Sequence, residues 1–322
     1  MYKRHKRVIK KGYTPLGTNA KEICENIIEK NWNGKLFTTS LGNYPVFYAR
    51  VFGMVVLGLL KLGHKEKVRK TLRYALECYR KGGRITSFIN AKGKPINFPE
   101  KYSPDSTAYL FYSLVLLNDS LLVERFKKFL EKEAKIFYKK VVHPITGEVK
   151  RHIHFQGMRD HYKRDSSCYD TVMCWLLSKS LDSLGLENPL KRFNYVDLLI
   201  EKYWTGMYFR DDQSCNEISA DANIYPFWLG MITNEEFLRR IIKSIDFYNL
   251  DKPFPIIYSP LGGVAKKTIL AEHLVSGWEN NCIWPMSGLP YIDVVYASNK
   301  PLAKKYFDKY TQIITKYKTF IE

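Results

Sequence analysis

No stretch of this sequence stays apolar for the ~20 residues that a helix needs to cross a bilayer. A signal peptide is missing too, because the basic start runs into Gly12, Tyr13, Thr14 and Pro15 where an apolar core would have to follow. Together these absences predict a cytoplasmic chain with no membrane partner. There is no Cys-x-x-Cys pair among Cys24, Cys78, Cys168, Cys174, Cys215 and Cys282, and several of them fall inside apolar patterns. Reduced, buried thiols that pack as small hydrophobes are expected. Gly82-Gly83 and Gly262-Gly263 lack the strand-to-helix setting of a phosphate-cradling loop, and a nucleophile elbow is absent. Glutamine is scarce, limited to Gln156, Gln213 and Gln312, and 32 acidic residues face 51 Lys and Arg, a formal net charge of +19. The basic residues are spread along the whole chain and interleaved with Glu, which makes most of this charge solvated surface and argues against a nucleic-acid partner. The concentrated run Lys3, Arg4, Lys6, Arg7, Lys10 and Lys11 marks residues 1–18 as a basic tail ahead of one domain at 19–322.

What is present is material for a large core: 45% hydrophobic and 15% aromatic residues. Two kinds of helical pattern alternate. Val46 to Leu62 is apolar on nearly every face, as in a helix buried all round, whereas Lys65 to Arg80 carries one stripe of Val68, Leu72, Ala75, Leu76 and Tyr79. The contrast recurs in Ser106–Leu117 with Ser120–Tyr138, Cys168–Leu184 with Leu190–Tyr203, Asp221–Ile232 with Asn234–Phe247, and Cys282–Ala297 with Leu302–Tyr317. With Asn19 to Trp32 in front, eleven helices are predicted. The fold class expected is all-α, an (α/α)6-toroid of inner and outer helices that lacks its last inner helix. Connections from outer to inner helices are long and rich in Gly, Pro, Tyr and Trp, and long loops gathered on one rim are where a site forms. In the longest, Val141 to Ser166, the alternation around Pro144 and Gly147 predicts a β-hairpin.

The acidic residues at these loop ends are Asp105, Asp160, Asp165, Asp221 and Glu279, with Tyr102, Trp278 and Trp284 close in sequence. Carboxylates beside aromatic platforms suit sugar binding and glycosidic cleavage, in which one acid protonates the leaving oxygen and a second carboxylate activates water or attacks. For Asp105 and Asp221 the stronger expectation, taken singly, is a helix N-cap. His152, His154 and His161 lack zinc-ligand spacing, so neither a metal nor a cofactor is expected.

In that order the motifs become familiar. Tyr48-Ala49-Arg50-Val51-Phe52-Gly53-Met54 resembles a substrate-binding segment of the six-hairpin glycosidases, which include glucoamylases of glycoside hydrolase family 15, mannosylglycerate-type hydrolases and debranching-enzyme glucosidase domains. Gly83-Arg84-Ile85, Asp105-Ser106-Thr107, Gly157-Met158-Arg159-Asp160, Cys168-Tyr169-Asp170 with Trp175, Ser219-Ala220-Asp221-Ala222-Asn223 with Pro226-Phe227-Trp228, and Asn281-Cys282-Ile283-Trp284-Pro285 continue the resemblance in family order. It implies an inverting exo-α-glycosidase acting on α-glucosides or a small glycoside, with Asp160 as general acid and Glu322 as the base that activates water. Arg50, Asp105, Asp165, Asp221, Trp278, Glu279 and Trp284 would border the sugar. Val51 stands where the family has Asp, and the family continues past the position of Glu322 into one more inner helix. A second reading is therefore a carbohydrate-binding toroid without catalysis. By packing, the open slot calls for a cover, a second polypeptide or a continuation of the chain.

Overall fold

Helices with two kinds of surface alternate along the chain. The structure, a computed structural model, describes residues 15–42, 44–98, 101–160, 163–252, 254, 256–260, 279 and 282–319. Eleven helices lie among these described residues: α1 Ala20–Asn31, α2 Ala49–Lys61, α3 Lys65–Gly82, α4 Pro104–Leu117, α5 Ser120–Val141, α6 Cys168–Ser183, α7 Tyr195–Tyr203, α8 Ala220–Trp228, α9 Glu235–Phe247, α10 Pro285–Ser298 and α11 Lys300–Tyr317. The basic run at 3–11 lies outside them.

Burial sorts the helices into two layers. Eleven of the fourteen residues of α4 are buried, but only six of the eighteen in α3, the difference between a helix covered all round and one covered along a stripe. The even-numbered helices form the inner layer, with α2 packed on α4, α4 on α6, α6 on α8 and α8 on α10. The odd-numbered helices lie outside, and α11 packs against α1, so the outer layer closes on itself. This is the expected all-α toroid with six outer and five inner helices among the described residues. Val55 of α2 and Leu62, its C-cap, are 47% and 57% exposed, and Leu289 and Tyr296 of α10 are 41% and 56% exposed. Tyr225 of α8 reaches both helices, its hydroxyl donating to the Met286 carbonyl at 3.0 Å and lying 3.9 Å from Met54 Sδ.

Local rules set the details. The outer helices α1, α5, α7, α9 and α11 start on Asn19, Asp119, Asn194, Asn234 and Asn299, each of which accepts from a backbone N–H of the first turn. At Gly53 a Cβ would fall 2.4 Å from Tyr109 Cβ, so glycine is what lets α2 approach α4. Two outer helices end in the same way. Trp32 bridges Phe37 across Gly34 and Trp204 bridges Phe209 across Gly206, and both glycines have the positive φ (89° and 97°) that the turn needs.

The structure corrects three expectations. Neither Asp105 nor Asp221 is an N-cap: Ser103 and Ser219 hold those positions, and the acids sit at the second helical residue. The hairpin at 141–154 is reduced to one bridge, Val142 to Val149, and His152, with φ 61°, breaks any strand beyond it. A three-stranded antiparallel sheet appears instead, formed by β1 Phe47–Tyr48 ahead of α2 and by β2 Phe88–Ile89 and β3 Pro95–Ile96 between α3 and α4. Strands of two residues are too short for a period-2 pattern to reveal.

Candidate functional site

Three inner helices begin alike. Ser103 Oγ donates to Asp105 Oδ1 (2.7 Å) at the head of α4, Ser167 Oγ to Asp170 Oδ2 (2.6 Å) at α6, and Ser219 Oγ to Asp221 Oδ1 (2.8 Å) at α8. Each serine orients a carboxylate in the first turn, where the free N–H groups of the helix favour negative charge. The inner helices run parallel, so these acids gather on one rim. Arg50, in the first turn of α2, reaches the same rim.

Arg50 joins the outermost group. Its Nη1 donates to Asp105 Oδ2 at 2.9 Å and to the Gly157 carbonyl, and its Nη2 lies 4.0 Å from Asp160 Oδ2. Burial works against this charge, but Asp105 and Asp160 outweigh it and hold the guanidinium cationic above its ordinary range. Asp160 is fixed by its surroundings: its Oδ1 accepts the Gly157 N–H (3.2 Å), its own N–H donates to Glu279 Oε1 (2.8 Å), and its carbonyl meets His154 Nε2 (3.0 Å). The Asp160 side chain keeps 24% of its surface exposed while Asp105 has none, so Asp160 is the acid of this pair that a ligand can reach. Burial pushes the His154 imidazole down to about 4, which leaves it neutral near pH 7. Two polar atoms of the rim, Arg50 Nε and Asp170 Oδ1, are buried without a hydrogen-bond partner, and burial raises the Asp170 carboxyl to about 6.

Behind this group lies a buried ion network. Arg159 donates from Nε to the Glu279 carbonyl (3.0 Å), from Nη1 to Asp211 Oδ2 (3.2 Å) and from Nη2 to Ser259 Oγ (2.6 Å). Arg164 Nη1 bridges Asp211 Oδ1 (3.3 Å) and Asp221 Oδ2 (2.7 Å). Two cations face two carboxylates, and near-neutrality is what allows such a cluster to be buried. Burial would raise Asp221, but Arg164 and Arg159 hold it below the usual carboxylate range; in Asp211 burial prevails and pushes the carboxyl up.

The residues singled out from the sequence therefore divide. Arg50, Asp105, Asp160 and Glu279 come together. Asp221 belongs to the network behind them, with both oxygens engaged by Arg164, Tyr258, Ser219 and the Ala222 N–H. Asp165 is committed elsewhere, taking Arg151 Nε (3.1 Å) and Nη2 (2.7 Å) on one oxygen and the His152 N–H (2.6 Å) on the other. Trp284 is the N-cap residue of α10, partly buried against the core. Trp278 and Glu322 lie outside the described residues, as does His161. Sequence reasoning missed Arg164 and Asp211, and named Asp170 only within the Cys168-Tyr169-Asp170 motif, without a role. The signal for Asp170 was the serine three residues ahead of it, repeating the Ser-Asp starts of the neighbouring inner helices. Asp211, Asp212 and Cys215 have potential ligand atoms within 4.8 Å of one another. Both Asp211 oxygens meet arginines, both Asp212 oxygens take Ser214 or the Asp165 N–H, and burial holds the Cys215 thiol up at about 12, so the group reads as structural.

No family model matches the chain, and no curated protein matches it. Among solved structures it is similar to a rhamnosidase from Klebsiella oxytoca with rhamnose bound, at 9% identity and a TM-score of 0.62, over 95% of this chain. The chain spans 59% of the length of that protein. At such identity the likeness is one of fold: an all-α toroid shared with a glycosidase.

Proposed function

We propose that the chain cleaves glycosidic bonds, as an inverting, exo-acting α-glycosidase on α-glucosides or another small glycoside. The observation that carries this reading is the part-exposed Asp160 carboxylate at the toroid rim, beside Arg50 and buried Asp105. Asp160 is the general acid. Its proton passes to the glycosidic oxygen as the bond from that oxygen to the anomeric carbon breaks, and water adds to the opposite face of the sugar. Glu322, by family resemblance, takes the proton from that water. Arg50, whose side chain is 11% exposed, faces the sugar hydroxyls, and buried Asp105 fixes its guanidinium at 2.9 Å. Glu279 positions the acid through the Asp160 N–H.

The test is a panel of α-linked disaccharides, including glucosides and rhamnosides, whose leaving sugar alcohol cannot depart without a proton, hydrolysed by the parent chain and by Asp160→Asn. Release of free monosaccharide by the parent, with its loss in the variant while sugar binding persists, is expected, because the amide keeps the shape and has no acidic proton to give. A variant as fast as the parent would exclude Asp160 as the acid.

A further inference from the structure

The three-stranded sheet at the rim wears its aromatic residues on the wrong side for a fold element that only covers a core. Phe47 pairs with Ile89 and Tyr48 with Phe88. Side chains alternate across a strand, so Phe47 and Ile89, both 1% exposed, face the core, and Tyr48 and Phe88 face outward. The Tyr48 ring lies 5.1 Å from Phe88 and 5.9 Å from Tyr44, centroid to centroid. Phe98 extends the edge: it follows Ile96 by two residues, donates its N–H to Ser87 Oγ (3.3 Å) and is 65% exposed. A row of part-exposed rings on the outward face of a small sheet is a feature that calls for a ligand.

The row is continuous with the Asp160 site. Arg50 leaves the chain two residues after Tyr48, and burial raises the Tyr48 hydroxyl to about 12, with Arg50 opposing the rise and Tyr44 and Asp160 adding to it. At the other end the Gln156 side-chain amide donates to the Phe98 carbonyl (2.6 Å), and the next residue, Gly157, accepts from Arg50. The shelf and the loop that carries Asp160 are thus pinned to each other twice.

We infer that Tyr48, Phe88 and Phe98 bind the leaving side of the substrate, so that the substrate class is an oligosaccharide with at least one further sugar ring beyond the bond that is cut. This rests on the glycosidase reading above. A pyranose presents an apolar face of C–H groups that lies on an aromatic ring while its hydroxyls stay at the edge in water, and rings spaced like these can hold consecutive sugars. Asp160, at the head of the shelf, then meets the oxygen that joins the stacked part to the sugar being released.

The experiment uses the full chain carrying Asp160→Asn, so that binding is read without turnover. A glycan array of α-linked sugars selects the recognised series, and calorimetry compares its trisaccharide with its methyl monoglycoside. The trisaccharide is expected to bind at least about tenfold more tightly, and Phe98→Ala or Tyr48→Ala to erase that advantage while leaving the monoglycoside unchanged. Tyr48→Phe keeps the ring and is expected to keep the advantage. Equal affinity for the two sugars, or an advantage that survives Phe98→Ala, overturns the shelf alone. An array on which nothing binds overturns the glycosidase reading and the shelf with it. Ala variants that alter sedimentation but not sugar affinity would make the shelf a protein contact instead.

Discussion

Glu133 shows how a single buried carboxyl writes itself into the pH dependence of the whole chain. It sits on outer helix α5 with its side chain turned inward, fully buried; Oε2 accepts the Ile85 N–H (2.8 Å) and Oε1 has no partner. Burial raises its carboxyl from 4.5 to about 7. The folded chain therefore holds this proton more tightly than the unfolded one, and its contribution is most favourable below pH 4.5 and is lost as pH rises through 7. Glu133→Gln keeps a carbonyl for the Ile85 N–H and cannot ionise. Thermal melts at pH 5 and pH 8 are expected to show the variant gaining on the parent by about 2–4 °C or more at pH 8 only; equal gaps at both pH values would refute the assignment. The sequence hid this residue, because an inward-facing Glu in a charged outer helix looks like one more solvated acid. Motif order pointed to Arg50, Asp105 and Asp160 meeting on one rim, whereas which of the two carboxylates stays exposed was hidden. It depends on the surrounding loops, and burial of that kind is a property of tertiary packing.

At the level of elements, helix identity could be read along the chain and helix starts less well. Apolar coverage on every face against a single stripe separated α4 from α3 correctly. The heads of α4 and α8 misled, because Ser103 and Ser219 take the N-cap position two residues ahead of the acids, and their hydroxyls donate to those carboxylates instead of accepting from the first turn. Asp221 and Asp165 make the energetic contrast plain. Asp221 neutralises buried Arg164, and Asp165 pairs with Arg151, whose side chain is 48% exposed. Asp221→Ala is expected to cost about 3–5 kcal/mol by leaving buried Arg159 and Arg164 to share Asp211 alone, one cation in excess. Asp165→Ala should cost less, its ion pair being worth about 1 kcal/mol at most. Urea unfolding of both variants checks this, and equal losses would contradict the buried-network account. The repeated Trp-x-Gly-x-x-Phe turns at 32–37 and 204–209 were present in the sequence as an internal repeat. They are short and far apart, so the pattern stands out only once both glycines are seen at positive φ.

At the scale of the molecule, alternation of inner and outer helices and eleven helices among the described residues were readable, because each follows from hydrophobic periodicity and loop length. What periodicity does not carry is closure. Among the described residues α11 packs against α1, while Val55, Leu62, Leu289 and Tyr296 on and beside α2 and α10 stay exposed. The parallel inner helices bring their acidic first turns to one rim, and the central claim is that Asp160 on that rim gives a proton to a departing glycosidic oxygen. The most direct measurement is kcat/KM for parent and Asp160→Asn on a series of aryl glycosides of the accepted sugar, whose leaving phenols range from strongly to weakly acidic. A phenol of low pKa departs without help and one of high pKa needs the proton. The variant is expected to lose about 10²–10⁴-fold on the least acidic phenol and little on the most acidic. A loss of equal size across the series, or none, would contradict the account.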